Sequence, residues 1–304
     1  MRKIHYISND LLNTRLDRWI RKNIHNIPQS LIEKSLRKGK IKVNNKKKKS
    51  SYKMQLGDKV TLNNFTYTAT KSKKKVIYKP SKQEKSGAEK IFIENNEDFV
   101  VINKPSGISV QSGTKSRKNI LDILKSTKEF ENHIPYPVHR IDKETTGILI
   151  VAKNRKYAQL FTSLFRIRKI HKVYLCIVVG EFKKREGTLD DTLFYYEGDK
   201  KTKARAITHF KVLDSNKGYT LIKLNPVTGR KHQLRKQLLI HGHPVLGDEK
   251  YRIISNKKKI KENLMLHAYQ INFTISNTKY KFIAKTPEIF KTTLNEKYLK
   301  NSLQ

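Results

Sequence analysis

The chain has 304 residues, enough for one large or two ordinary domains each with its own core. Its 66 lysines and arginines against 26 acids give a formal charge of +40, which points to a polyanionic partner, nucleic acid before an anionic membrane. No apolar run approaches the ~20 residues that span a bilayer, and one cysteine, Cys176, excludes intrachain disulfides and cysteine-rich zinc sites. Lys, Asn and Ile share AT-rich codons, so nucleotide bias supplies part of the lysine count. The opening MRKIHYISNDLL lacks a signal-peptide hydrophobic region, and the lone cysteine fits a reducing cytoplasm.

In chain order, residues 14–62 read as a compact basic unit. Leu16, Ile20 and Ile24 recur at helical spacing. A second helix follows, with Ser30 and Glu33 as a capping box and Gly39 as its C-terminal glycine. Ile41 and Val43 begin a short strand that enters the Asn44-Asn45 turn. The first domain is assigned to 14–70. KSKKKVIYKPSKQEKSGAEK, over 71–90, has no sustained hydrophobic period and reads as a linker.

From Ile91 strands alternate with occasional helices, and this second domain is assigned to 91–292. IFIENNEDFVVINKPSG carries two strands and a Pro-Ser-Gly turn, and GILIVAK is a buried strand. Residues 154–168 form a helix with Tyr157, Leu160, Phe161, Leu164 and Phe165 on one face. KVYLCIVV, ARAITHFKV, YTLIKL and MLHAYQINFTI are further strands, the last with Met265, His267, Tyr269, Ile271 and Phe273 on one side. Many strands without a βαβ rhythm predict an α+β fold on a mixed, mostly antiparallel sheet with flanking helices.

Three stretches carry chemistry. In PVHRIDKETTGILIVAKN, residues 137–154, Asp142 sits behind His139 and Arg140 on the edge of a rigid strand. Among cations such a carboxylate stays ionised, which suits a nucleophile or base, although from spacing alone a structural salt bridge is the commoner outcome. In NPVTGRKHQLRKQLLIHGHPVLGDEKY, residues 225–251, a glycine precedes Arg230, and Arg235 follows about one turn on. An arginine there pairs with a distant carboxylate or holds a phosphate. His241, His243 and Asp248 lack the spacing and the carboxylate cluster of a metal site. In HKVYLCIVVG, residues 171–180, Lys172 and Tyr174 share one side of a strand, and a tyrosine there stacks on a base or packs in a core. No G-x-G-x-x-G, P-loop or zinc-deaminase set is present, and the acid clusters of a Mg²⁺ nuclease are missing.

Together these stretches resemble the ribosomal large-subunit pseudouridine synthases. HRIDKETTG at 139–147 is similar to that family's H-R-L-D-x-x-T-S-G, TGRKHQLR at 228–235 to T-G-R-T-H-Q-I-R, and GHPVLGDEKY at 242–251 to G-H-P-I-x-G-D-x-x-Y. NKPSG at 103–107 and HKVYLCIVVG match two lesser motifs in the right order. Residues 14–62 resemble the α-L RNA-binding domain of the C and D members, and the gapped basic module and the length lean to C. Ile141, Thr146 and Lys231 depart from the pattern, Lys231 standing where the family usually has Thr.

The resemblance implies isomerisation of specific uridines in large-subunit ribosomal RNA, by a cytoplasmic monomer with neither metal nor cofactor. It implies Asp142 as the catalytic carboxylate, Arg230 as the cation that holds it and Tyr174 as the ring under the uracil. Candidate RNA contacts are His139 and Arg140 beside Asp142, Arg235, and Arg15, Arg18, Arg37, Lys38 and Lys40 in the basic module. The rival readings are a catalytically silent ribosome-assembly factor, a D-type synthase with other target uridines, and an RNA-modifying enzyme of another chemistry.

Overall fold

The computed structural model describes residues 2–7, 12–24, 27–65, 78, 80–81, 87–112, 118–197, 200–253, 263–301 and 303. The chain divides into two compact units, Met1–Val76 and Ile77–Gln304. Most of the expected linker over 71–90 lies outside the described residues.

The first unit packs two helices on a three-stranded antiparallel sheet, with strands β1 (Arg2–Tyr6), β2 (Ile41–Val43) and β3 (Lys59–Asn63) in the order β1-β3-β2. Helix α1 (Leu16–Asn23) turns Leu16, Trp19 and Ile20 inward, and α2 (Gln29–Arg37) turns in Ile32 and Leu36. Strand β1 falls outside the expected 14–62 unit, and it places the start of this domain well before residue 14. The capping box also needs correction: α2 begins at Gln29 after Pro28, so Ser30 lies inside the helix and caps nothing. The far end of α2 is as expected. Gly39 takes φ +72°, its N–H bonds to Leu36 O and that of Lys40 to Ser35 O, the pattern of a left-handed glycine stop.

The second unit is built on a ten-stranded sheet. Its strands are β4 (Phe92–Asn95), β5 (Phe99–Lys104), β6 (Tyr136–Pro137), β7 (Thr146–Ala152), β8 (His171–Val179), β9 (Glu186–Glu197), β10 (Lys200–Asn216), β11 (Tyr219–Pro226), β12 (Leu266–Ile275) and β13 (Thr278–Ile283). The order is β4-β5-β7-β12-β8-β11-β10-β9, with β13 on β12 and β6 on β7. Among these strands only β7 and β12 pair in parallel; the other pairings are antiparallel. The architecture is α+β on a mixed, mostly antiparallel sheet, as expected.

Both faces of the sheet are covered, which is why its central strands read as unbroken apolar runs. Along β7, Leu149 and Val151 point to the face that carries helix α3 (Ile120–Leu124). Ile148, Ile150 and Ala152 point to the opposite face, under helix α4 (Arg155–Arg166). Strand β8 repeats this alternation. Cys176 and Val178 pack with helix α5 (Gln233–Ile240), and Val173, Leu175 and Ile177 with helix α6 (Glu288–Glu296). Each valine, leucine or isoleucine among them contributes about 1.5–3 kcal/mol when fully buried. Cys176 is buried and its thiol is held well above its ordinary range by desolvation, so it is inert, as expected. The core continues past residue 292 to Leu299. No helix among the described residues is long and apolar enough to cross a membrane.

Gly147 fixes the site to this frame. At φ +105°, a Cβ there would collide with the Ala268 backbone, so glycine alone allows β7 to lie parallel against β12.

Candidate active site

The loop that enters β7 is braced from several directions. His139 Nε2 accepts the Ile150 N–H at 2.8 Å, and the ring stacks on Phe165 at 4.6 Å. Burial, with Lys172 second, pulls the imidazole down to about 3, so it stays neutral. The sequence suggests His139 as an RNA contact. Its acceptor nitrogen and one ring face are engaged in bracing the loop, and the residue also lines the cleft described below.

Lys104 is fully buried, and its ammonium donates to the carbonyls of Pro105, Ile108 and Lys143 at 2.8, 2.9 and 3.0 Å. Those bonds use all three of its donors. Desolvation pulls the group down to about 7, against the nearby charges of Glu144 and Asp142. Ser106 donates to Glu144 O at 3.0 Å, so the NKPSG turn supports the loop at residues 143 and 144. Behind the loop, Thr146 Oγ1 lies 2.8 Å from His267 Nδ1. His267 Nε2 faces the Ala284 carbonyl at 3.2 Å and must carry the ring proton, so Thr146 donates.

Asp142 stands on this frame with its side chain 19% exposed. Its ion-pair partner is Arg235, whose Nη1 donates to Oδ2 at 3.1 Å. The expected Arg230–Asp142 pairing is therefore corrected. Arg230 is exposed, and its Nε donates instead to the Arg205 carbonyl at 3.4 Å. The reason is local. Gln233 Oε1 accepts the Arg230 N–H, and His232 adopts a left-handed φ of 53° as α5 begins. Positions 232 and 235, three apart, thereby face Asp142 together, while Arg230 remains in the preceding turn.

Arg235 is shared between two carboxylates. Its Nε and Nη2 each donate to Asp248 at 2.7 Å, and Asp248 is fully inaccessible at its side chain. Desolvation opposes the charge on Arg235, but the bonds and charges of Asp248 and then Asp142 outweigh it and raise the guanidinium further above its ordinary range. It is permanently cationic. On the other oxygen of Asp142, His232 Nε2 stands 3.6 Å from Oδ1, and His232 Nδ1 lies 2.8 Å from the Tyr251 hydroxyl.

A cleft of about 620 Å³ opens beside Asp142, within the ~300–1,000 Å³ range typical of small-ligand sites. Among the described residues seven arginines and lysines line it, and Asp142 is its single acid. Arg140, Lys172 and Tyr174 are on its wall, the last two from one side of β8 as expected. Burial, and then the charge of Asp142, push the Tyr174 phenol up, so it holds its proton at neutral pH.

In the first unit Arg18, Arg37, Lys38 and Lys40 are exposed. Arg15 is exposed as well, and its Nε and Nη2 donate to Asp17 at 3.1 and 2.7 Å at the start of α1. His241 and His243 serve structure too, the first 3.2 Å from Asp191 and the second stacked on Phe182 at 4.0 Å. Among the described residues no group of three or more His, Cys, Asp or Glu is disposed to hold a metal. Sequence reasoning missed Lys104, His232 and Tyr251. The signals are present, a lysine within a strand-end apolar run and a His and Tyr inside two recognised motifs.

Residues 98–239 match the family model described as RNA pseudouridylate synthase. The chain is 32% identical to ribosomal large subunit pseudouridine synthase C of Buchnera aphidicola from Schizaphis graminum, over 96% of each chain. It is 31% identical to the Rickettsia conorii protein of the same name, over 94% of this chain and 98% of that one. Among solved structures it is similar to human RNA pseudouridylate synthase domain containing 4, with a TM-score of 0.62 and 26% identity. That match covers 72% of this chain and 98% of the other.

Proposed function

The chain belongs to the RNA pseudouridylate synthase family, and on that premise we propose that it isomerises uridines of large-subunit ribosomal RNA with Asp142 as the reacting carboxylate. One observation carries the assignment of the residue. Asp142 is the sole acid among the described residues of a cationic cleft, and Arg235 orients it through one oxygen only.

In the isomerisation the N1–C1′ bond of uridine breaks, and its electron pair leaves on the uracil. The ring turns, C5 bonds to C1′, the C5 proton is lost and N1 gains one, so no atom enters or leaves overall. Arg235 holds Oδ2, which leaves Oδ1 for the nucleoside. Tyr174 supplies a flat, protonated ring at the cleft wall on which the uracil stacks. The target must leave its own stack to enter, at a few kcal/mol, and exposed Arg140 beside the cleft is placed to meet the RNA left behind. The relatives' shared name supports a C-type enzyme, and a ribosomal RNA substrate supports a cytoplasmic location. Mapping pseudouridine in ribosomal RNA from cells with and without the gene tests the reading. Specific large-subunit positions should revert to uridine, and an unchanged map overturns it.

The first unit is an α-L RNA-binding domain that neutralises phosphates through Arg18, Arg37, Lys38 and Lys40. Deleting residues 1–76 should weaken RNA binding and flatten its salt dependence, by roughly 0.7–0.9 in logarithmic slope for each phosphate no longer neutralised. The second unit has its own core and should keep its cooperative unfolding. An unchanged slope would remove the RNA-binding role from this domain.

A further inference from the structure

The segment GDEKY, residues 247–251, has no part in the mechanism above, yet it reaches Asp142 by two routes. It is fixed to the sheet at its base. Val179 N–H bonds to Pro244 O, Leu246 N–H to Ile177 O and Met265 N–H to Leu246 O, so the turn hangs on β8, the strand that carries Tyr174. Gly247 takes φ +76°, and a Cβ there would collide with the Asn263 backbone, so no other residue makes this turn without moving it. Asp248 then accepts the backbone N–H groups of Lys250 and Tyr251, each at 2.9 Å.

The first route runs through Asp248. Its two oxygens take Nε and Nη2 of Arg235, which fixes the plane of the guanidinium and leaves Nη1 for Asp142 Oδ2. The second runs through Tyr251. Its hydroxyl meets His232 Nδ1 at 2.8 Å, and His232 Nε2 faces Asp142 Oδ1 at 3.6 Å. A carboxylate only accepts, so a neutral ring must carry its single proton on Nε2, and Tyr251 donates to Nδ1. The two routes touch each other. The Tyr251 ring lies 5.1 Å from the Arg235 guanidinium carbon and meets the His232 ring edge-on at 5.5 Å.

We infer that the 247–251 turn is a two-armed holder for Asp142, with Asp248 and Tyr251 as positioning residues that aim its carboxylate through Arg235 and His232. The inference rests on Asp142 as the reacting group. A holder of this kind acts on the chemical step and not on RNA affinity, because neither residue needs to touch the substrate. The 3.6 Å separation at Oδ1 also matters. It keeps that oxygen free of a full hydrogen bond in the resting enzyme while restricting where it can swing.

The test uses the full chain in excess over a ribosomal RNA fragment, so that each variant performs a single turnover. Amplitude then reports the folded, active fraction, and the rate constant reports how well Asp142 is aimed. Asp248→Asn should lower the rate constant by about 10²-fold, the cost typical of a small misplacement at a reacting centre. Tyr251→Phe removes one hydrogen bond and should lower it by about 3–10-fold. RNA affinity should stay within about twofold in both, well inside the 1.4 kcal/mol of a tenfold change. Adding Tyr251→Phe to His232→Gln should bring no further loss, since both cut the same arm. Asp248→Asn leaves Arg235 facing an amide and can fail to fold; Tyr251→Phe is a milder change and keeps the test decisive. A wild-type rate constant with reduced amplitude in Tyr251→Phe means a purely structural turn and overturns the inference. Losses that multiply in the His232→Gln background overturn it as well. Asp142→Asn serves as the reference: were it active, the choice of reacting group would fail first, and the two failures remain distinguishable.

Discussion

Asp142→Asn is expected to abolish pseudouridine formation, with a loss of about 10⁴-fold or more, as for other groups on which the covalent step depends. The substitution keeps the shape of the side chain and removes only its charge. Two features make it a clean experiment. Among the described residues the cleft has no other lining acid to substitute for Asp142. Arg235 keeps both bonds to Asp248, so the buried guanidinium is not left without a counter-charge and the fold should persist. RNA affinity should remain near wild type or rise, since the variant cleft is one charge more positive. Turnover within tenfold of wild type, measured together with unchanged urea unfolding, would return Asp142 to the status of a structural salt bridge.

Much of this is legible in the sequence because it rests on local physics. The unbroken apolar runs in GILIVAK and KVYLCIVV report strands covered on both faces, and those strands are the middle of the sheet. The Thr-Thr-Gly stretch, which the sequence suggests as a turn, is instead the start of β7, and its glycine is required by the parallel pairing with β12. Gly39 ends α2 where its sequence says it should. What fails depends on residues far apart in the chain. The partner of Asp142 lies 93 residues away, and its choice turns on a left-handed histidine that no propensity rule signals. The glycine before Arg230 draws attention to the wrong arginine. Asp248 fits no metal site by its spacing, and its carboxylate binds a guanidinium instead. His139 looks like an RNA contact because its neighbours are cationic, and its Nε2 also holds an amide of the next strand.

The same long-range pairing sets the second large effect. Arg235→Lys is expected to be far from conservative. The arginine makes three hydrogen bonds to two carboxylates from one rigid plane, and an ammonium on a flexible stem cannot reproduce that fork. Activity should fall by about 10²–10³-fold, the scale seen when a fixed electrostatic partner is withdrawn from a reacting centre. Arg235→Ala should lose more and should also destabilise the fold by about 3–5 kcal/mol, because Asp248 is then buried without a counter-charge. Lysine separates these effects, since it retains the charge. Arg230→Ala supplies the contrast: exposed and bonded to a carbonyl rather than to Asp142, it should weaken RNA binding modestly and leave the saturated rate within tenfold. Combining Arg235→Lys with Asp142→Asn should add almost nothing to the loss from Asp142→Asn alone, as for residues that act as one unit. If the two losses multiply, Arg235 contributes by holding RNA phosphate and not by holding Asp142. If Arg230→Ala instead proves the more damaging variant at saturation, the cation that matters in the RNA complex is the one in the turn, and α5 must shift when the substrate binds.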